Sequence, residues 1–357
     1  MRRLPVFALL LALLALAGCG GNEETAGETT APQETTTATA GTGTTAGEPI
    51  RVGLVTDIGG LDDRSFNFLA NRGLARAEDE LGVEGRVVIS KAEADYVPNL
   101  TSLAKQDYDL VIAVGFLMAN ALDTVAARYK DVSFAIIDYS QSELKGTPPN
   151  VRGLLFKEQE AGYLVGYLAG LVTKEEAGTK QVIGSVGGLK IPPVDRYIAG
   201  YQAGAKKADP GIVTVNSYSQ DFVDQAKCKE LALDQFARGA HVVFQVAGQC
   251  GLGALSAAKE KNMWGIGVDA DQGYLGPHIA TSALKKVDVA VFQTIQQAQE
   301  GRFTGGEDTT FDVASGAVGI GEISPRVPGD IVAQVKRVQD DIAAGRVKNI
   351  PETVAGD

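Results

Sequence analysis

The sequence predicts an α/β protein of two Rossmann-like lobes, each with a parallel sheet, and a cleft between them. Three observations carry that expectation. Apolar, β-rich runs alternate with amphipathic helical stretches along the chain after residue 49, as parallel strands covered on both faces require. Ten such runs occur, too many for one compact sheet in the 308 residues from Ile50 to Asp357, so two five-stranded halves are expected. Nearly every run exits into glycine or hydrogen-bonding residues, and does so in both halves. In open α/β sheets ligands bind outside the carboxyl ends of the strands, so both lobes aim those exits at the cleft.

In chain order the first half holds strands at 50–55, 86–89, 110–114, 133–137 and 151–156. The second half, starting near Gln181, holds strands at 182–186, 213–218, 241–246, 264–268 and 278–282. Helical periodicity fills the gaps at 65–81, 99–106, 119–129, 195–207, 223–238 and 252–261, and a longer helix, 158–172, separates the halves. After 282 come a helix at 287–300 and the stretch FDVASGAVGIGEI, whose second part is expected to return to the first lobe as a strand. A last helix, 328–344, follows. The expected lobes are therefore 50–156 plus 286–323, and 157–285 plus 324–357.

The front of the chain places this domain outside the cytoplasm. Arg2 and Arg3 precede an apolar run, 4–17, shorter than the roughly 18 residues a membrane span needs. The run ends in Leu16-Ala17-Gly18-Cys19. Small residues before a cysteine resemble a lipoprotein signal, in which 1–18 is removed and Cys19 becomes the lipidated first residue. The alternative is a plain secretory signal with an incidental cysteine. Residues 20–49 contain ten threonines and five glutamates but no Lys, Arg or aromatic residue, the composition of a disordered tether. With Arg2 and Arg3 removed from 33 basic residues, 31 face 44 acidic ones, a net charge of −13. No basic stripe exists, which argues against nucleic acid and anionic headgroups as partners.

Enzyme signatures are missing. The two histidines, His241 and His278, fall at strand starts away from the cleft and are expected to be structural. No CxxC, HExxH, GxxxxGK[ST] or GxSxG occurs, so neither a catalytic zinc, a P-loop nor a nucleophile elbow is expected. GLGALS, from Gly251, imitates a dinucleotide fingerprint but reads better as a tight strand-to-helix connection. DADQG, 269–273, lacks the other oxygen ligands of a calcium loop. Ser65, before a helical pattern, reads as an N-cap rather than a nucleophile, and Asp62 and Asp63 suit the same helix start. What remains is gripping chemistry. Carboxylates at strand exits accept hydrogen bonds from a vicinal diol, and Phe66 and Phe222 offer flat faces to a base or sugar.

The loops TDIGGLDDRSFN, VGFLMANAL, FAIIDY, FKEQEAGYLVGYLAG, GSVGGLKIPPVDRYIAGYQAGAK, GIGVDADQG and TSALKKVD occur in this order. Together they resemble the basic membrane protein (Bmp) lipoproteins over residues 50–300, a family that includes purine-nucleoside receptors of ABC importers with the type I periplasmic-binding-protein fold. The resemblance implies that Phe66 and Phe222 sandwich a base, that Asp138 faces its polar edge, and that Asp269 holds the ribose hydroxyls with Lys285 beside it. It places Asp57, Asp63 and Asn67 on the first-lobe side and Gly248 on the second. It further implies a monomer without a cofactor, an ABC permease as partner and attachment to the membrane through a lipid. Alternatives are a simple-sugar or autoinducer receptor, a nucleoside sensor and, from another class, a nucleoside hydrolase. The sequence departs from the family at AGQCGLG, where a small or hydroxyl residue usually replaces Cys250. Parallel topology brings Cys228 and Cys250 to one pole, so a disulfide is geometrically open to them, as are two buried thiols.

Overall fold

A computed structural model describes residues 49–178 and 180–354. The signal segment, Cys19 and nearly all of the expected tether lie outside the described residues.

The first sheet contains β1 (Arg51–Val55), β2 (Glu84–Val88), β3 (Leu110–Ala113), β4 (Ser133–Ile137), β5 (Val151–Phe156) and β11 (Glu307–Phe311), ordered β2-β1-β3-β4-β5-β11. The second contains β6 (Val182–Gly187), β7 (Val213–Tyr218), β8 (Ala240–Val246), β9 (Trp264–Asp269), β10 (Ile279–Lys285) and β12 (Val318–Ile320), ordered β7-β6-β8-β9-β10-β12. The first five strands of each sheet repeat one order and pair in parallel. Residues of the central strands are buried on both faces, all four of β3 for example, because helices cover both sides.

Those helices are α1 (Phe66–Leu81), α2 (Tyr96–Ala104), α3 (Ala119–Arg128), α4 (Glu158–Glu176), α5 (Pro192–Ala208), α6 (Gln225–Ala237), α7 (Gly248–Lys261), α8 (Val287–Gln299) and α9 (Gly329–Ala343). Helix α2 begins ahead of Pro98 rather than after it, because a proline in the first turn removes an N–H that has no helical partner anyway. Helix α7 starts four residues before the expected Leu252. GLGALS is therefore not a turn: Gly251 and Gly253 lie inside α7, and a Cβ on Gly253 would stand 1.8 Å from Gln225 O of α6. Glycines also let α4 and α5 touch; a Cβ on Gly166 would stand 2.0 Å from Tyr201 O. At the first turn of α4 the approach is equally close: a Cβ on Gly200 of α5 would stand 2.1 Å from Gln159 O.

The chain crosses between the sheets three times, at β5–α4, β10–α8 and β11–β12, and the crossings are hydrogen-bonded together. Lys157 N donates to Phe311 O at 2.9 Å and Lys286 N to Ala317 O at 2.7 Å. One expectation is corrected here. Residues 318–320 do not return to the first lobe; β12 runs antiparallel on β10 in the second sheet. The returning strand is β11, parallel to β5. The segment expected as first-lobe, 286–323, thus divides between the two sheets.

Candidate functional site

All nine residues expected to touch a ligand line one cavity between the lobes: Asp57, Asp63, Phe66, Asn67 and Asp138 from the first, Phe222, Gly248, Asp269 and Lys285 from the second. The space between these residues is about 640 Å³ when the solvent at its mouth is included.

The first wall grows from the exit of β1. Asp57 N donates to Asn67 Oδ1 at 2.9 Å, and the Asp57 carboxylate accepts from Ile58 N at 2.7 Å and from the Tyr96 hydroxyl. Burial pushes the Asp57 carboxyl up to about 6, against the lowering effect of the Tyr96 bond. Gly115 at the exit of β3 has φ +119°, and a Cβ there would stand 2.4 Å from Asp57 Oδ2, so glycine is needed for the carboxylate to sit where it does. Asp63 accepts from Ser65 N (3.0 Å), Asn67 N (2.7 Å) and Phe68 N (3.1 Å). Asp63 therefore caps α1, and burial raises its carboxyl while these bonds oppose the rise. The expected cap, Ser65, makes no side-chain cap bond. A carboxylate two residues upstream already takes the free N–H groups, and the Ser65 hydroxyl reaches across the cleft instead. It donates to Asp269 Oδ2 at 2.7 Å.

The second wall is shaped around Phe222. Its ring lies on Gly188, where a Cβ would be 2.3 Å from the ring edge. Cys250 N donates to Phe222 O at 3.0 Å. Cys228 and Cys250 form a disulfide between α6 and α7, with Cα atoms 5.5 Å apart, so the cystine braces the loop that presents Phe222. Asp269 has φ 60°, and its Oδ1 accepts from the Tyr197 hydroxyl at 3.1 Å. Burial raises the Asp269 carboxyl, opposed by Lys285 and by the Ser65 and Tyr197 bonds.

At the base, beside the crossings, sits an ion network. Lys285 Nζ lies 2.5 Å from Asp138 Oδ1 and 2.8 Å from Glu158 Oε1, and Arg196 Nε donates to Glu158 Oε2 at 2.6 Å. Lys285 is 2% exposed and Glu158 fully buried. Burial would raise the Glu158 carboxyl, but the two cations hold it below its ordinary value. Asp138 shares only one of them closely, and burial raises it. The Lys285 ammonium also stands 5.2 Å from the centroid of the Phe66 ring.

Tyr197, Glu158 and Arg196 escape a reading of strand exits, since all three lie on helices; each stands in a loop quoted for the resemblance, but nothing local marks it. Asp271 of DADQG accepts from Gly273 N at 3.1 Å and Glu322 N at 2.9 Å, so that carboxylate ties loops together. Among the described residues no cluster of His, Cys, Asp or Glu is placed to hold a metal ion. His241 pairs with Glu176 at 2.9 Å, on the second lobe.

Two like sheets, three bonded crossings and a cavity at the strand exits define the type I periplasmic-binding-protein fold. Solved structures agree: a solute-binding protein of an ABC transporter system from Aeropyrum pernix K1 superposes with a TM-score of 0.77 at 29% identity, over 85% of this chain and 94% of that one. The family described as ABC transporter substrate-binding protein, PnrA-like (Bmp) matches residues 50–352. This chain belongs to the Bmp family of ABC-transporter substrate-binding proteins. Similar proteins include the CD4+ T-cell-stimulating antigen of Listeria monocytogenes, 34% identical over 84% of this chain and 88% of that protein. The ABC transporter nucleoside-binding protein BmpA of Lactococcus lactis is 30% identical over 97% and 98%. An uncharacterized lipoprotein of Pyrococcus furiosus is 33% identical over 83% and 80%. As a substrate-binding protein of an ABC transporter, the chain has a small-molecule ligand and a permease as partners.

Proposed function

We propose that this protein is a lipid-anchored extracytoplasmic receptor that binds a purine nucleoside between its lobes and delivers it, as a monomer, to its permease without chemical change. The observation that carries the reading is the presence of Phe66 and Phe222, one from each lobe, in a cavity whose charged groups are four aspartates and a lysine, with Asn67 and Tyr197 beside them. Flat apolar faces take a base, and Asp269 retains acceptor capacity for a vicinal diol beyond the two hydroxyls it already binds. A simple sugar would use the same carboxylates but has less need of an aromatic residue on each lobe. The name of the Lactococcus relative supports a nucleoside, and that of the Pyrococcus relative supports Cys19 as the lipidated residue. Closure around the ligand gives the permease a form to recognise, because ligand and permease both favour the closed arrangement.

Native mass spectrometry of the protein as purified, followed by unfolding and extraction, tests the ligand class. A retained nucleoside is expected; a retained sugar, or no thermal shift across a nucleoside panel, contradicts the reading. Phe222→Ala should weaken nucleoside binding by about 1–3 kcal/mol in calorimetric titration, and unchanged affinity would remove the stacking role.

A further inference from the structure

We infer that Ser65 is a positioning residue that couples closure of the cleft to Asp269. Ser65 does not line the cavity, so it acts on a ligand only through the carboxylate it touches. Its backbone is fixed within the first lobe: Ser65 N donates to Asp63 Oδ1 at 3.0 Å, and its carbonyl accepts from Leu69 N at 2.9 Å. Asp269 is fixed with equal firmness within the second, as the last residue of β9 in register with Leu284 of β10 and bonded to Tyr197. Neither partner has freedom to follow the other. The 2.7 Å bond between Ser65 Oγ and Asp269 Oδ2 therefore exists only when the lobes stand as they do here.

An ionic contact across the cleft, Lys285 to Asp138, behaves differently from those farther out, where the Ser65 hydroxyl also lies 3.3 Å from Val268 O and Arg64 stands over the Tyr274 ring. Lys285 is the last residue of β10, immediately before a crossing, so rotation about the crossings moves it little. Ser65 and Asp269 lie away from the crossings and separate as the lobes part. Opening then leaves Asp269 with the Tyr197 hydroxyl alone, and closure adds the second donor, which holds the carboxylate in one orientation. The two hydroxyls are thus distinct in kind: Tyr197 orients Asp269 in both arrangements, Ser65 only in the closed one.

The test compares Ser65→Ala with Tyr197→Phe, each of which deletes one hydroxyl partner of Asp269, and uses Ser65→Thr to retain the hydroxyl. Circular dichroism melts first establish that each variant is folded. Inosine serves as the probe ligand, a choice that rests on the nucleoside reading, and small-angle scattering reports compaction. Ser65→Ala should raise the inosine dissociation constant about tenfold, the order expected for loss of one hydrogen bond to a charged group. The loss should appear in the dissociation rate, and the saturated protein should stay more extended than wild type. Tyr197→Phe should weaken binding without changing the scattering, and Ser65→Thr should restore both readouts toward wild type. Wild-type compaction in Ser65→Ala, with or without weaker binding, overturns the inference. Should wild type bind another nucleoside of the panel instead, that nucleoside replaces inosine as the probe; should it bind none, the nucleoside reading fails, and the unliganded proteins decide the role of Ser65. A more extended Ser65→Ala then supports it, and identical scattering overturns it.

Discussion

The fourth strand of each lobe leads into an aspartate held in the left-handed region, Asp138 at φ 71° and Asp269 at φ 60°, yet the two carboxylates meet opposite surroundings. Aspartate tolerates this conformation better than most residues, and in both lobes it turns a carboxylate into the cleft. Asp138 faces a cation, Lys285, which is shared with Glu158. Asp269 is bonded by two neutral hydroxyls, Ser65 and Tyr197, and feels the same lysine only through its charge. A cation compensates the charge it faces, whereas hydroxyl donors orient a carboxylate and leave its charge and spare lone pairs available. One backbone device thus serves two ends: in the first lobe it completes an ion network beside the crossings, and in the second it turns an acceptor toward the cavity.

Removing the cation should break this contrast most severely. Lys285→Met leaves Glu158 and Asp138 buried, with Arg196 the remaining cation of the network. Breaking a buried pair from one side costs about 3–5 kcal/mol, so the urea midpoint should fall sharply. Adding Asp138→Asn should recover part of that loss, because one buried charge is removed with its partner. Asp269→Asn, which keeps an acceptor for Tyr197, should cost far less. Equal destabilisation by Lys285→Met and Asp269→Asn would erase the distinction between the two carboxylates.

A second difference between the lobes is covalent. The Cys228–Cys250 bridge closes a loop of 22 residues in the second lobe, and the first lobe has no counterpart among the described residues. Chain entropy assigns such a loop about 3 kcal/mol. The Cys228→Ala/Cys250→Ala variant should lose that much by denaturant titration. Because Cys250 N holds Phe222 O, the variant should also bind ligand more weakly. Loss of stability with intact affinity would limit the bridge to scaffolding.

Much of this arrangement is legible in the sequence because the two lobes obey one rule: an apolar run followed by a polar exit. That rule finds Asp57, Asp138 and Asp269. It misses residues whose roles arise from contacts between distant elements. Glu158 and Arg196 lie in ordinary-looking helix starts, and only the glycine-mediated approach of α4 to α5, with Lys285 at a crossing, makes them a network. Ser65 occupies the expected cap position, but the choice between Ser65 and Asp63 as the capping side chain depends on where each reaches in space. The returning strand β11 reads EDTTF, with three of its five residues exposed and a fourth only partly buried. An acidic edge strand lacks the apolar pattern, so the shorter, more apolar 318–320 reads as the strand that crosses back.

The smallest expected effect concerns Asp57, a first-lobe carboxylate that faces no cation and whose partners are Ile58 N and the Tyr96 hydroxyl. Burial raises it from 3.8 to about 6. A carboxyl whose folded value lies above its unfolded value binds its proton more tightly when folded. Its contribution to stability is complete below about pH 4 and disappears as the pH rises through about 6. Between pH 5 and 7 this one group should remove roughly 1 kcal/mol of unfolding free energy. Asp138, Asp63 and Asp269 are also raised and act in the same direction, so the wild-type slope alone cannot assign the effect. The difference between wild type and Asp57→Asn can. Denaturant titrations at pH 5, 6 and 7 should show wild type losing about 1 kcal/mol more than the variant across that window. Parallel slopes would mean that the Asp57 carboxylate keeps its charge through hydration of the open cleft.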